Sequence, residues 1–324
     1  MKIVNQSYEI LEQEIPVYKL DDYSGYHFRE QYLENMYKHI ERCGRTCYKS
    51  EDRITSNSSK KFVDGLVKSK HLSVLEHGAI YLEYIFNPSK ESGKEFFKRY
   101  TLNPYSKLKS KALEYEDKPV EEQVIGEKIK VTKAAMYVTT NFRVLVENNW
   151  LDDLQYLCQP TEYHDIRHTV LLHSCIHVYK DLTRHRPMSF SIESTRYCNY
   201  LKGKFGSELK FIRLPWTKII PSDYDSSMLQ KLYDDDIMSI EDINFIASLC
   251  SIEETYMYLI KGKWEPQQAA EILPQCLAAD VIMSGFESDW RHVFNLRSDI
   301  AATGKPHPLV EELMTPLRKE MLHE

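Results

Sequence analysis

The sequence has no Cys-x-x-Cys pair and few glycines, and both shortages exclude classes of protein. Its seven cysteines are scattered and form no Cys-x-x-Cys pair, so neither a zinc ribbon nor a disulfide framework is indicated. Eleven glycines and 13 prolines in 324 residues exclude a collagen-like or low-complexity chain. The hydrophobic share of 42% and the charged share of 28% are instead typical of a globular protein.

Positive charge is not in excess either. Lysine and arginine number 42 against 48 aspartates and glutamates, a net charge of −6, so a general nucleic-acid binder is not expected. The opening MKIVNQSYEI contains no apolar signal region, and no long apolar run follows. We therefore expect a soluble, cytoplasmic protein with no membrane partner. An anionic ligand would need a local cluster of basic residues.

Local patterns predict both strands and helices. Alternating apolar residues predict strands over Ala79–Phe86 and Thr169–Cys175, and a short strand over Lys210–Leu214. Apolar residues at helical spacing, with capping signals, predict the helices. These are Phe28–Cys47, Lys60–Ser69, a helix capped by Thr140 that runs through Val146, Trp150–Leu157, Val178–His185, a helix from the cap Ser239 to Ile260, a helix start at Pro266, and a helix from the cap Ser288 to about Ala301.

The stretch from Asn87 to about Lys133 differs from its surroundings. Lysine and glutamate become dense and the apolar rhythm fades. Such a pattern predicts an inserted, solvent-facing segment. We expect it to be partly helical near Phe96–Tyr100 and Lys107–Tyr115.

The segment Asp181–Tyr200, DLTRHRPMSFSIESTRYCNY, concentrates ionisable and hydroxyl side chains. Arg184, His185 and Arg186 stand together at the expected end of a helix, which Pro187 terminates. Positive side chains suit a helix C-terminus, so complementation of the helix dipole would explain this run if it stood alone.

Three further features of the segment favour an anion-binding site. Arg196 follows Ser194 and Thr195 in the same short connection, and guanidinium and hydroxyl groups together suit a phosphate or a carboxylate. The protein as a whole is acidic, so this local positive charge is not background. Aromatic residues that can stack on a ring flank the connection: Phe190, Tyr197 and Tyr200. The segment therefore predicts a nucleotide site.

Four histidines precede this segment and raise a rival hypothesis, which is a metal site. On one helix, His164 and His168 would share a face and could bind one ion. On a strand, His173 and His177 would lie on one face. Because no carboxylate beyond Asp165 completes a ligand set, we favour histidines satisfied by protein partners or solvent, with no metal.

Arg297 lies on the third informative segment, SDWRHVFNLRSD at residues 288–299. On a helix, Trp290, Phe294 and Arg297 share a face. An arginine on an apolar stripe is costly unless it meets an anion or an acceptor. It either pairs with a carboxylate or reaches solvent, or it projects into a ligand pocket, and both interpretations stay open.

At these residues the sequence resembles a known family. RHRPMSFSIES, in which Arg-His-Arg is followed after seven residues by Ser, is similar to the hallmark motif of flavin-dependent thymidylate synthases. Further similar segments stand in the same order along the chain, from NQSYEIL to HPLVEELMTPL. They are HLSVLEHG, TTNFRVLVENNWLDDLQYL, PTEYH, KFGSEL, PQQA and DWRHVFNLR.

The resemblance implies a fold and a reaction. The fold would be α+β, with a central, largely antiparallel β-sheet flanked by helices. Residues 1–324 would form a single catalytic domain, with the segment at about 87–133 outside the family core. The reaction would be the reductive methylation of dUMP to dTMP, with 5,10-methylenetetrahydrofolate as carbon donor, reduced FAD as hydride source and NADPH as reductant of the flavin. The resemblance also implies a homotetramer with shared active sites, and no cysteine nucleophile.

The resemblance also assigns residues to the flavin. Arg184, His185 and Arg186 look like the flavin-contacting segment, with Arg184 also near dUMP. Ser73 matches a flavin-contacting hydroxyl, and His292 aligns with a flavin-contacting position.

The dUMP assignments centre on Arg297. It resembles the arginine that meets the uracil edge, where a fixed cation stabilises negative charge on the ring and makes C5 more nucleophilic. Asp181 stands where the family has a glutamine near the nucleotide. The remaining residues resemble the loop around the phosphate and sugar: Glu193, Ser194, Thr195 and Arg196.

Some positions depart from the family pattern. Ala270 stands where the family has an arginine that helps to bind dUMP, although Lys202 or Lys204 could compensate. Phe286–Ser288 replaces an Asn-x-Arg sequence associated with the flavin. These departures keep two alternatives open. One is a descendant that binds flavin or nucleotide but is inactive or acts on another pyrimidine nucleotide, and the other is a nucleotide-binding protein that is not an enzyme.

Overall fold

The computed structural model describes residues 1–18, 25–88, 91–116, 130–194, 199–201, 208–235 and 238–324. The chain divides into two compact units. The first unit contains Met1–Leu11, Cys43–Arg53 and Thr169–Glu324, and the second contains Glu12–Arg42 and Ile54–His168. The prediction of one catalytic domain stays a prediction.

The described strands and α-helices are numbered in chain order. The strands are β1 (Lys2–Val4), β2 (Ser7–Leu11), β3 (Ala79–Phe86), β4 (Lys107–Glu116), β5 (Lys130–Asn141), β6 (Arg167–Cys175), β7 (Ser189–Ile192), β8 (Lys210–Ile212), β9 (Ser222–Asp223) and β10 (Ala278–Phe286). The helices are α1 (Tyr26–Cys47), α2 (Ser59–Lys68), α3 (Glu91–Thr101), α4 (Phe142–Glu147), α5 (Ile176–Leu182), α6 (Leu229–Asp234), α7 (Ile240–Lys261), α8 (Pro266–Ala269), α9 (Glu287–Arg297) and α10 (Pro308–Met321).

A four-stranded sheet forms the centre of the first unit, in the order β2-β6-β10-β7. The pairs β2–β6 and β10–β7 are antiparallel. Because successive side chains of a strand point to opposite faces, each strand contributes every second residue to a core shared with α5, α9 and α10. That core includes Val170, Leu172, Val281, Met283, Val178, Trp290, Phe294, Leu313 and Leu317.

The opposite face of this sheet is polar at many positions. Thr169 and Ser284 share a hydroxyl–hydroxyl hydrogen bond of 2.7 Å, and Ser189 lies opposite Ser284 in the β10–β7 register. Farther along the same face stand His173 and Asp280. This face therefore carries hydrogen-bonding groups where the other carries apolar ones.

A smaller sheet of the first unit has the order β8-β1-β9. Its β1–β8 pair is parallel and its β1–β9 pair is antiparallel. Ile3 and Phe211 from this sheet pack in one cluster with Ile246, Leu249 and Tyr256 of α7.

The second unit is built on the antiparallel sheet β3-β5-β4. Helix α1, up to Arg42, contributes Tyr32, Met36 and Ile40 to the core of this unit. The Tyr32 hydroxyl donates to the carbonyl of Ala79 over 3.1 Å, at the start of β3. Both units therefore combine mainly antiparallel sheets with packed helices, in agreement with the predicted α+β class, although the described strands form three sheets rather than one central sheet.

The segment predicted to be an insertion contains more regular structure than expected. Helix α3 covers Phe96–Tyr100 as predicted, but Lys107–Tyr115 is strand, not helix, because it pairs along β5. The expectation of a solvent-facing segment is wrong for Phe96 and Tyr100, which are buried in the core of the second unit. Residues 117–129 lie outside the described residues.

Several helix boundaries differ from prediction. Helix α9 begins at Glu287 rather than after a cap at Ser288, because the Asp289 carboxylate accepts the backbone N–H of Phe286 over 3.1 Å. Helix α5 begins at Ile176, so His177 is helical and does not share a strand face with His173. The long helix α7 is capped by Ser239 as predicted.

Candidate functional site

The basic segment is a turn between α5 and β7. Helix α5 ends at Leu182, and the N–H of His185 donates to the carbonyl of Leu182 over 3.0 Å. Arg184 and Arg186 are exposed, whereas His185 is buried at 7% exposure. The run therefore splits by exposure, with two arginines facing solvent on either side of a buried imidazole.

Arg297 lies against this turn from the end of α9. Its Nε donates to Nε2 of His185 over 3.2 Å. Its two terminal nitrogens lie 3.5 Å from the Asp181 carboxylate and 3.4 Å from the Asp181 carbonyl. The side chains of Arg297 and Asp181 are 21% and 26% exposed, so the contact is half-buried. Of the two interpretations left open, pairing with a carboxylate is observed, and a role in a ligand pocket stays a prediction.

His185 is held neutral. Burial, followed by the positive charge of Arg297 and the neighbouring His292, lowers the pKa of His185 to about 4, against the opposing effect of Asp181. The ring of His292 lies 5.9 Å from that of His185. Because the Arg297 Nε–H is a donor, Nε2 of His185 must accept, which assigns the imidazole proton to Nδ1.

This arrangement places a donor group and an acceptor group side by side. Arg297 can donate several N–H groups in one plane, and Asp181 can only accept when ionised. Such a pair suits a planar ligand edge that offers oxygen and N–H groups next to each other. Arg297 and Asp181 therefore offer a donor and an acceptor side by side to such an edge.

The loop predicted to bind phosphate begins at the end of β7. Glu193 is buried, and its backbone N–H donates to the carbonyl of Asp280 over 2.8 Å. The N–H of Ser194 donates to the carbonyl of Cys47 over 3.4 Å. Thr195 and Arg196 lie outside the described residues, as do Lys202 and Lys204.

Sequence reasoning missed an ionic cluster around Glu193. Its Oε2 accepts the N–H of Asp280 over 3.1 Å and lies 3.3 Å from Nζ of Lys49, while its Oε1 accepts from the Tyr200 hydroxyl over 3.2 Å. Lys49 also pairs with Asp280, whose other oxygen lies 2.6 Å from Nδ1 of His173. The sequence offers one sign of this cluster, which is that the acidic residue Asp280 interrupts the apolar run AADVIMSGF.

The charges of this cluster stabilise one another. Burial alone would lower the pKa of Lys49, but the carboxylates of Glu193 and Asp280 outweigh it, and the pKa lies above its ordinary value. Burial would raise the pKa of Asp280, yet His173 and Lys49 hold it below its ordinary value. The lysine and the aspartate therefore both stay charged at neutral pH.

Burial disfavours nucleophilic chemistry at three of the described cysteines. Burial raises the pKa of Cys47, Cys158 and Cys276 to about 12. These thiols stay protonated at neutral pH, and a thiol is a much weaker nucleophile than a thiolate.

Ser73 lies in the second unit. It is exposed, in a turn of 3-10 helix over Leu72–His77. Next to it, Glu76 and His77 are buried, and Glu76 pairs with Arg143. This turn thus presents one hydroxyl to solvent, while two ionisable side chains of the same turn are buried.

The candidate metal-binding histidines have protein partners. His164 lies 3.2 Å from the carbonyl of Leu82 and 3.6 Å from the sulfur of Cys158. His177 lies 3.1 Å from the Gln275 side chain. Across the part of the chain that the structure describes, no three His, Cys, Asp or Glu side chains are grouped to hold a metal ion. The same described residues contain no helix with the length and apolarity to cross a membrane.

Comparison with known proteins identifies a family. The family model for Thy1, thymidylate synthase complementing protein, matches residues 158–321, which include the Arg297 cluster and the turn after α5. No curated protein sequence matches the chain.

Two solved structures of the UMP/dUMP methylase PolB from Streptomyces cacaoi are similar to the chain. The complex with 5-Br UMP aligns at 18% identity over 48% of this chain and 66% of that chain, just under two thirds, with a TM-score of 0.34. The complex with 5-Br dUMP aligns at 13% identity over 99% of this chain and 90% of that chain, with a TM-score of 0.37. Both similarities are too weak to assign a function.

Proposed function

Because the chain belongs to the Thy1 family of thymidylate synthase complementing proteins, we propose that it converts dUMP to dTMP by reductive methylation. The carbon donor is 5,10-methylenetetrahydrofolate, and the electrons come from NADPH through FAD. The enzyme is a methyltransferase with the fold of flavin-dependent thymidylate synthases. The observation that carries the proposal is the contact of Arg297 with His185 and Asp181, within the residues that match the family.

Arg297 is the catalytic residue of the proposed reaction. Its guanidinium meets the uracil edge and stabilises the negative charge that develops on the ring when C5 becomes nucleophilic. Asp181 and His185 both accept from Arg297, so the donor is already oriented before substrate binds. Because His185 is neutral, it orients Arg297 without adding a second positive charge.

The residues around the turn fit a flavin dinucleotide. The exposed guanidinium groups of Arg184 and Arg186 suit its diphosphate, and the ring pair of His185 and His292 suits contact with its planar parts. We assign Ser73 to the same cofactor. When bound, FAD supplies the hydride that completes the new methyl group.

The end of β7 is assigned to the nucleotide. The phosphate and sugar of dUMP are bound by Ser194, Thr195 and Arg196. Glu193 and Asp181 also contribute to the binding of dUMP. Hydroxyl and guanidinium donors suit a dianionic phosphate. Arg184 lies where cofactor and substrate meet.

The proposal extends to assembly and location. The enzyme is a cytoplasmic homotetramer whose subunits share active sites, and its partners are small molecules rather than nucleic acid. Size-exclusion chromatography with light scattering tests the assembly, and a monomer that is fully active would contradict it.

The proposed reaction is tested by an anaerobic assay of the purified protein. The mixture contains dUMP, 5,10-methylenetetrahydrofolate, FAD and NADPH, and dTMP is followed by mass-resolved chromatography. We expect dTMP to form, and Arg297→Ala to abolish it.

The matched control for this assay is Arg291→Ala. Arg291 lies on the same helix but is exposed, and it forms an ion pair with Glu287 one turn away. Its loss should leave the rate nearly unchanged. Wild-type protein that binds flavin and oxidises NADPH but forms no dTMP would overturn the proposal.

A second candidate function is the modification of another pyrimidine nucleotide by the same site. Two departures from the family pattern motivate it. Phe286, where the family has a polar sequence associated with the flavin, is buried at 1% exposure and offers no side-chain donor. Ala270, at the end of α8, likewise offers no guanidinium. Replacing dUMP by UMP, dCMP or CMP in the same assay separates the two functions, since a protein with the second function should methylate one of these nucleotides and not dUMP.

A further inference from the structure

Lys49 occupies a backbone conformation that costs free energy. Its φ angle is 46°, in the left-handed region where a non-glycine residue is uncommon. It follows the end of α1, where the N–H of Lys49 donates to Thr46 and the N–H of Ser50 donates to Arg45. Glycine is the usual residue at this position after a helix, because it has no side chain to clash.

Two other lysines sit in the same kind of turn and provide an internal comparison. Lys70 follows α2 with φ of 58°, and Lys263 follows α7 with φ of 69°. Each turn repeats the same two backbone hydrogen bonds. The N–H of Lys70 donates to Val67 and the next N–H donates to Leu66, while the N–H of Lys263 donates to Ile260 and the next N–H donates to Leu259. Lys70 and Lys263 are exposed, whereas Lys49 is partly buried.

The difference between these lysines lies in their side-chain partners. The Lys49 ammonium meets two carboxylates, those of Glu193 and Asp280, whose side chains are 4% and 14% exposed. Two neighbouring buried carboxylates without a cation would repel each other and would each carry a large desolvation penalty. At Lys49 the side chain therefore has a specific function that offsets the unfavourable backbone.

Glu193 connects Lys49 to the substrate end of β7. Both oxygens of its carboxylate have protein partners, which are Tyr200 on one side and Lys49 with the N–H of Asp280 on the other. The next residue is Ser194, whose N–H is held by Cys47, two residues before Lys49. One short segment at the end of α1, from Cys47 to Lys49, thus holds both the side chain of Glu193 and the backbone of Ser194.

We propose that Lys49 is a positioning residue for the phosphate of a pyrimidine nucleoside monophosphate. Its ammonium fixes the Glu193 carboxylate, and through it the position of Ser194. Lys49 does not touch the substrate. The inference rests on the proposed function, because it takes Ser194 as a contact of the substrate phosphate.

The test compares Lys49→Gly with Lys263→Gly in the full-length protein. Both variants relieve a left-handed lysine in the same kind of turn, so the backbone gain is matched. Isothermal titration measures the affinity of each for dUMP and for deoxyuridine, which has no phosphate. Thermal melting shows that each variant is folded.

We expect Lys263→Gly to bind both ligands as the wild type does. Lys49→Gly should lose roughly tenfold to a hundredfold in affinity for dUMP, the range for one lost charged hydrogen bond, with affinity for deoxyuridine nearly unchanged. Lys49→Arg, which keeps the positive charge, should recover most of the lost affinity. If Lys49→Gly is unfolded, Glu193→Gln removes the same ionic attraction at nearly constant size and should show the same selective loss.

Three results would overturn the inference. They are equal dUMP affinity in the two glycine variants, an equal loss for dUMP and deoxyuridine, and no recovery by Lys49→Arg. A wild-type protein that binds no dUMP would overturn the proposed function itself, which separates that failure from a failure of Lys49 alone.

Discussion

Arg297 donates its Nε–H to Nε2 of His185 over 3.2 Å, although 112 residues separate the two along the chain. The hydrogen bond joins the last residue of α9 to the turn after α5. It explains two properties at once, since it orients the guanidinium and requires a neutral imidazole with its proton on Nδ1. A change at either residue should therefore be visible at the other.

Removing the guanidinium should raise the pKa of His185. In Arg297→Met the positive charge beside the imidazole is gone, so the pKa should rise from about 4 towards the ordinary value of 6.5, with burial still holding it below that value. NMR titration of the His185 ring measures the change. Arg291→Met, on the exposed side of the same helix, should leave the pKa where it is. An unchanged pKa in Arg297→Met would show that Arg297 does not act on His185 electrostatically.

Two buried histidines should make the protein less stable in acid. Burial, and then the charge of Arg42, lowers the pKa of His39 to about 4, while burial, and then His39 and Arg167, lowers that of His77 to about 3. In the unfolded chain both should titrate near 6.5. Below pH 6.5 the unfolded state therefore binds more protons than the folded state, and stability falls as the pH falls.

Stability should be fully present above about pH 6.5 and should be lost progressively towards pH 4. Each histidine contributes up to about 1.4 kcal/mol per pH unit within that window. Urea unfolding at pH 7 and pH 5 measures the loss, and His77→Gln should show a weaker pH dependence than the wild type. The exposed His71 supplies the control His71→Gln. An identical pH dependence in His77→Gln and His71→Gln would contradict the assignment.

The cap of α7 should be worth about 1 kcal/mol. The Ser239 hydroxyl accepts the N–H of Asp242 over 3.1 Å, which satisfies a donor that the first turn of the helix leaves unpaired. Ser239→Ala should lower the free energy of unfolding by about that amount in chemical denaturation. Ser248→Ala, within the same helix and exposed, should change it by less than about 0.5 kcal/mol. Equal effects at the two serines would contradict the capping role.

Two glycines should respond to alanine with opposite signs. At Gly78, a Cβ atom would lie 2.7 Å from Cδ1 of Ile40 and 3.0 Å from Cγ of Met36, in a packed core. Gly78→Ala should therefore destabilise the protein by about 1–3 kcal/mol. At Gly65, within α2, nothing lies within 4 Å of the added atom. Gly65→Ala should stabilise by about 0.5–1 kcal/mol. Thermal melting of both variants measures the signs, and destabilisation at Gly65 would contradict the described packing.

Local rules allowed much of the secondary structure to be predicted from the sequence. The strand Ala79–Phe86 matches its prediction at both ends, and α7 begins after Ser239 as its capping sequence indicates. Helix α1 also covers its predicted range. Such elements depend on residue spacing and on caps within a few positions, which a sequence displays directly.

The strand Lys107–Glu116 could not be predicted in the same way. Its sequence, KLKSKALEYE, has the lysine and glutamate content of an exposed helix. It is a strand because it pairs with Lys130–Asn141, and this long-range pairing overrides a weak local preference. Helix α5 also ends earlier than predicted. Arg184 and His185 have side chains compatible with a helix, but they lie beyond its last residue, Leu182.

The residues of the site likewise include some that the sequence predicted and some that only the structure identified. The motif RHRPMSFSIES and the helix with Arg297 directed attention to the residues that the structure brings together around His185. Nothing in the sequence connected Lys49 with Glu193 and Asp280, because 231 residues separate Lys49 from Asp280. Residue types and short spacings are properties of the chain itself, and they predicted several helices, several strands and the cluster of basic residues after α5. Which carboxylate meets which cation depends on how strands distant in sequence align, and only the packing of the folded chain decides that alignment.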